Sequence, residues 1–205
     1  QQPPKPDRLR WLRLPWTFRT MRNTRATPRV WPGADTEEPI LLEIAAAYGD
    51  LPGVVAVAVA GSIAAGSADP ASDFDLYVYA PELPPIPLRA AVADRFAEES
   101  EIGNTVWEQG DEWRHRSTGR HVDVMYRTPA WIEDQLARVL VHHEAAAGYS
   151  TCFWHNVLHS AALVDASGWY RQLQEKAHQP YPEALKRAII AKNYPILRQA
   201  FSSYL

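Results

Sequence analysis

The chain has 205 residues, 46% of them hydrophobic and 22% charged, with a net charge of −3 and a single cysteine, Cys152. That length suits one domain or a small two-part unit able to bury about 70% of its unfolded surface, and one cysteine excludes a disulfide framework and a cysteine-based zinc site. No apolar run approaches the ~20 residues of a membrane helix and no charged-then-apolar leader opens the chain, so a cytoplasmic protein is the expectation.

Residues 1–35 read as a basic, Pro/Arg-rich arm. Lys5, Arg8, Arg10, Arg13, Arg19, Arg22, Arg25 and Arg29 are opposed only by Asp7 over the first thirty residues. Such an arm suits nucleic acid or an acidic partner. The plainer reading, which we favour, is a solvated terminus. Trp11, Trp16 and Trp31 weigh against it, because disordered tails are poor in aromatics; docking on the body, or on a second copy in a homodimer, accounts for them.

From Thr36 the pattern becomes regular. Thr36 followed by Glu37, Glu38 and Pro39 marks a helix start, with Leu41, Ile44, Ala45 and Tyr48 on one face. Val54–Ala60 is a short valine-rich strand ended by Gly61-Ser62. "IAAGSA" makes one or two helical turns, "DPAS" a turn, and Phe74–Tyr79 the next strand. "PELPPIP" is too proline-rich for regular structure. A helix over Leu88–Glu98 follows, then strands at Asn104–Glu108, Glu112–His115 and Val122–Arg127, with turns at Gly110-Asp111 and Thr118-Gly119. Pro129 opens a helix to about Val141, and the pattern beyond it reads as helical throughout, with a kink or break expected at Pro195. The division is thus an arm at 1–35, an α/β core at 36–128 and a helical part at 129–205.

The chemistry concentrates where the second strand begins. Residues two apart on a strand share a face, ~6.5–7 Å apart at Cα, so Asp73 and Asp75 point together while Phe74 and Leu76 point to a core. Two ionised carboxylates ~4 Å apart repel by about 4 kcal/mol at an effective dielectric near 20. A hard divalent cation offsets that, and Mg²⁺ typically bridges carboxylates to substrate phosphates. Gly61-Ser62 ends the neighbouring strand, where a glycine lets backbone approach a phosphate and free N–H groups favour anions. Asp123 is a third acid, inside the otherwise apolar strand "HVDVMYR", where a lone carboxylate is costly unless paired or metal-bound.

Gly61-Ser62, a gap of ten residues, then Asp73-Phe74-Asp75-Leu76, with Asp123 on a later strand, resembles the signature of the polymerase-beta-like nucleotidyltransferase superfamily. The likeness runs over about Ala45–Tyr126, and the helical part is similar in outline to the small bacterial members, antibiotic nucleotidyltransferases among them. The resemblance implies an α/β fold built on a mixed β-sheet with flanking helices and a C-terminal helical domain. It implies that Asp73 and Asp75 hold two Mg²⁺ ions, that Asp123 completes the ion activating the acceptor hydroxyl, and that Gly61, Ser62 and the adjoining Ser72 grip a nucleoside triphosphate such as ATP. It also implies in-line attack on the α-phosphorus with pyrophosphate leaving, to an unknown acceptor for which a small molecule is the first expectation. Two alternatives stand beside this: an antitoxin-type enzyme that nucleotidylates a protein, and an inactive nucleotide-binding or regulatory module. An RNA end as acceptor, contacted by the basic arm, is a third.

Further residues carry double readings. Glu144 is the resemblance's candidate general base, with His142 and His143 beside it; an ordinary polar helix end is the plainer account. Lys192, and more weakly Arg187, is a cation for the triphosphate or simply an exposed helix residue. His155 and His159 share a helix face as a candidate metal pair, but ordinary core or surface histidines are the favoured account. Trp107, Glu108, Asp111, Glu112 and Trp113 serve either a cationic acceptor or base, or hairpin packing.

Overall fold

The structure is a computed structural model that describes residues 39–64, 72–105 and 108–202. The basic arm, the helix start at Thr36, most of the segment between Gly61-Ser62 and Asp73, and Trp107 lie outside the described residues. Those described form seven helices and six strands: α1 Pro39–Gly49, β1 Ala56–Val59, α2 Gly61–Ala64, β2 Phe74–Tyr79, α3 Ile86–Phe96, β3 Ala97–Asn104, β4 Gly110–His115, β5 His121–Arg127, α4 Pro129–Leu140, α5 Cys152–His159, β6 Ala161–Val164, α6 Trp169–Ala177 and α7 Glu183–Ser202.

The strands make one mixed sheet in the order β3-β4-β5-β2-β1-β6. β2 and β5 run parallel and the other neighbours antiparallel. Alternation along the strands splits the core into two layers. Val57, Val59, Phe74, Leu76, Val78, Val122, Val124 and Tyr126 bury one face against α1 and α3. Ala56, Ala58 and Tyr79 bury part of the other against Ile132, Leu136, Trp154, Val157, Tyr170 and Leu173 of α4, α5 and α6. The small alanines on that side leave room for the aromatic rings of the helices above. This is the expected α/β architecture with a C-terminal helical region.

Several boundaries differ from expectation. α3 starts two residues early because Pro87 is tolerated in a first turn, where the missing N–H has no partner to lose. It ends at Phe96, and the chain enters β3 at once, whereas a strand was expected only from Asn104. β3 is an edge strand whose Glu98, Glu99, Ser100 and Glu101 all face water, so no apolar alternation announces it. Gly110-Asp111 opens β4 and is not a turn, while Thr118-Gly119 does turn the chain, with the Gly119 N–H donating to the His115 carbonyl at 2.8 Å. The uninterrupted helical pattern expected past Val141 does not hold: residues 141–151, between α4 and α5, are not helical, and "AALV" forms β6 and pairs antiparallel with β1. A four-residue apolar run has too little length to reveal its period. α7 continues through Pro195 rather than breaking there. Among the described residues no helix is long and apolar enough to cross a membrane.

Candidate active site

The parallel pairing of β2 with β5 sets Asp75 directly beside Asp123, and the antiparallel pairing of β4 with β5 sets Glu112 beside Asp123 from the other side. Paired residues share a face, so three strands present a row of carboxylates, with Asp73 just ahead of β2. Their face is the one that α4, α5 and α6 cover further along. Tyr77 and Tyr79 follow Asp75 on it, and Met125 and Arg127 follow Asp123. The row therefore lies at the uncovered end of a face whose other end is packed. The opposite face beneath it is closed by Phe74, Leu76, Val122 and Val124, all at most 1% exposed.

Gly61 is fitted to this row. It has φ +65°, and a Cβ there would stand 2.0 Å from Oδ2 of Asp75. Only glycine lets the backbone pass so close to the carboxylate. The Ala60 N–H donates to the Asp75 carbonyl at 2.9 Å and pins the two strand ends together. Ser62 is half-buried in the short α2. The Ser72 carbonyl accepts from Nε of Arg120 at 2.7 Å, and the Arg120 guanidinium stacks 3.9 Å over the Phe74 ring. That contact anchors the chain as it enters β2 with its aspartates.

The electrostatics are repulsive. Burial, then the Asp73 charge, pushes the Asp75 carboxyl above its usual range. Burial, then Asp75, Glu112 and Asp73, pushes Asp123 up, with His121 opposing weakly. Among the described residues no arginine or lysine pairs with Asp73, Asp75 or Asp123. The acids stand as a row and not as a closed cage, since no three His, Cys, Asp or Glu side chains among the described residues come together as a metal cluster. The donor set, carboxylate oxygens only and electrostatically uncompensated, fits a hard divalent cation such as Mg²⁺.

A family model described as a nucleotidyltransferase domain matches residues 41–143, half of the chain. The chain belongs to the nucleotidyltransferase family. The matched segment runs from α1 to just beyond α4 and contains Gly61, Ser62, Ser72, Asp73, Asp75 and Asp123. Against the curated proteins the chain finds no significant match.

The other residues singled out in this nucleotidyltransferase are scattered. Glu144 lies beyond α4, exposed and paired with Arg138 at 3.0 Å. His143 is left-handed at φ 53°, and the Glu144 N–H donates to the Arg138 carbonyl at 2.8 Å, so this segment is the reversing end of α4. Lys192 and Arg187 are exposed on α7. No hydrogen bond or ion pair joins Glu144 or Lys192 to the acid row among the described residues.

The hairpin residues, which spacing alone left undecided, divide by face. Asp111 is 1% exposed on the α1–α3 side. It accepts from Nε of Arg89 at 3.0 Å, from Nη2 of the same arginine, from the Gly103 N–H at 2.9 Å and from the Tyr126 hydroxyl at 2.6 Å. Trp113 is buried beside it and donates to the Tyr48 hydroxyl at 3.2 Å. Both are packing residues. Glu112 faces the acid row.

Glu108 forms a two-point pair with Arg127, at 2.8 and 2.9 Å. The buried Arg127 guanidinium lies 4.2 Å over Tyr77, 5.0 Å from the Phe153 ring and 5.4 Å from that of Trp131. Sequence reasoning missed this block, which bounds the packed end of the face. An arginine inside a predicted strand was the available signal, since burial demands a partner for it.

Proposed function

We propose that the protein moves a nucleoside monophosphate from a nucleoside triphosphate onto a hydroxyl of a small-molecule acceptor, with Asp73, Asp75 and Asp123 as the carboxylates that hold two Mg²⁺ ions. The observation that carries this reading is the seating of Gly61 against Asp75 while Asp75 stands in register beside Asp123. When bound, two divalent ions stabilise the charge on the entering and leaving oxygens. Gly61, Ser62 and Ser72 line the approach for the β- and γ-phosphates, where the missing side chain lets backbone come close. Asp75 and Asp123, set side by side on a stiff sheet, would hold the ions at a fixed spacing. The acceptor oxygen then bonds to the α-phosphorus as the bond to the β-phosphate oxygen breaks; pyrophosphate leaves, and the hydroxyl proton passes to the Glu144 carboxylate.

Residues 36–128 act as the core that handles the phosphates, and residues 129–205 shape the acceptor side. Glu144 as base for the acceptor and Lys192 as a cation for the triphosphate belong to this second part, and each must reach over from it. Calorimetric titration with non-hydrolysable nucleoside triphosphates, with and without Mg²⁺, tests the reading. Micromolar, Mg²⁺-dependent binding that disappears in Asp73→Asn/Asp75→Asn is expected. Binding that is independent of Mg²⁺ and survives the double substitution overturns it.

A further inference from the structure

α5 carries His155 and His159 on successive turns, both exposed. Their rings lie 4.2 Å apart between centroids, tilted by 39°. Spacing alone favours two ordinary histidines; the closeness of the rings changes that balance. A ring nitrogen about 2.0–2.1 Å from an ion places its ring centroid roughly 3 Å from that ion, so centroids 4.2 Å apart leave both rings within reach of one ion. Imidazole suits Zn²⁺, Ni²⁺ and Cu²⁺, whereas the carboxylates of the acid row suit Mg²⁺.

We propose that His155 and His159 form a two-imidazole chelate for a borderline-soft divalent ion, separate from the acid row. The chelate is open. Cys152, one turn before His155, is half-buried, and no third His, Cys, Asp or Glu completes a cluster among the described residues. Solvent fills the remaining positions, so the site is a clip across two turns and not a closed structural cage.

The clip acts on a helix that needs support. α5 has only eight residues, too few to hold helical structure in isolation. It nevertheless sends Phe153 and Asn156 to Arg127, and Trp154 to the Ala177 carbonyl at 2.8 Å. An ion that binds the folded helix and not the unfolded chain stabilises it by mass action.

The test is titration of the full chain with Ni²⁺ and with Cu²⁺ in excess Mg²⁺, followed by calorimetry and by Cu²⁺ visible absorption. One equivalent is expected to bind, and a 100-fold excess over its Kd to raise the thermal midpoint by ~5–10 °C. His155→Gln and His159→Gln should each weaken binding at least ~10-fold, as loss of one arm of a chelate does. His142→Gln/His143→Gln and Asp73→Asn/Asp75→Asn should leave it unchanged. Because both histidines are exposed, the variants should keep the wild-type midpoint in chelator, which separates lost binding from lost folding. No bound equivalent, binding that survives His155→Gln and His159→Gln, or binding lost with the aspartates overturns the proposal.

Discussion

Replacing Gly61 by alanine separates backbone strain from damage to the acid row. At φ +65° an L side chain costs about 1–2 kcal/mol, which for a chain of this size lowers the thermal midpoint by about 2–8 °C. The added Cβ also starts 2.0 Å from Oδ2 of Asp75, against 3.4 Å or more for ordinary contact. The carboxylate or the backbone must therefore give way by more than ~1 Å, and misplacement on that scale costs on the order of 100-fold in steps that depend on position. Gly53 is the control: its φ is +80°, with nothing within 4 Å of the site of a Cβ. Gly53→Ala and Gly61→Ala should both melt early by scanning fluorimetry. Only Gly61→Ala should lose Mg²⁺-dependent binding of a nucleoside triphosphate analogue by calorimetry. If the two variants bind equally well, the reasoning from Gly61 to Asp75 is wrong.

The remaining predictions rest on other contacts. In chelator, Asp75→Asn or Asp123→Asn should raise the thermal midpoint, because each removes a charge that its neighbours repel; the same variants should lose the stabilisation that Mg²⁺ gives the wild type, as melting with and without the ion will read. Asp111→Ala strands Arg89 in the core, which should cost about 3–5 kcal/mol in urea unfolding, and the apolar pair Arg89→Met/Asp111→Leu should recover much of it. His115 bears on acid stability. Burial, then Arg116 and Arg120, hold its pKa below the usual value, while its Nδ1 lies 3.3 Å from the Thr118 N–H and accepts from it. The unfolded chain therefore takes up this proton first, and the contribution of His115 is lost as pH falls through ~6.5. His115→Gln should flatten melting midpoints across that range.

Much of the candidate site was legible because its signals are local. Gly61-Ser62 directly follow one apolar strand and Asp73 and Asp75 open the next, and period-two alternation puts the two aspartates on one face without knowledge of the fold. Asp123 was legible as an acid in an apolar strand. Glu112 and Asp111 were not separable, since a one-residue shift in the hairpin start exchanges their faces; the start at Gly110 decided it. β6 and β3 escaped for opposite reasons, the first being short and wholly apolar, the second an edge strand dominated by acids.

The sequence by itself determined the nucleotidyltransferase signature and the α/β class and pointed to the three carboxylates of the proposed site, because these depend on residue type and on spacing within single elements. Only the tertiary structure decided that Asp75 and Asp123 stand side by side, that Glu112 joins them while Asp111 is buried behind, that Arg127 pairs with Glu108 beneath the helices, and that His155 meets His159. The first three are set by strand register and the packing of one layer on another, and the last by side-chain rotamers. The first three join residues distant in the chain, which no local pattern encodes; for the histidines the helical spacing gave the shared face and only the rotamers gave the ring contact.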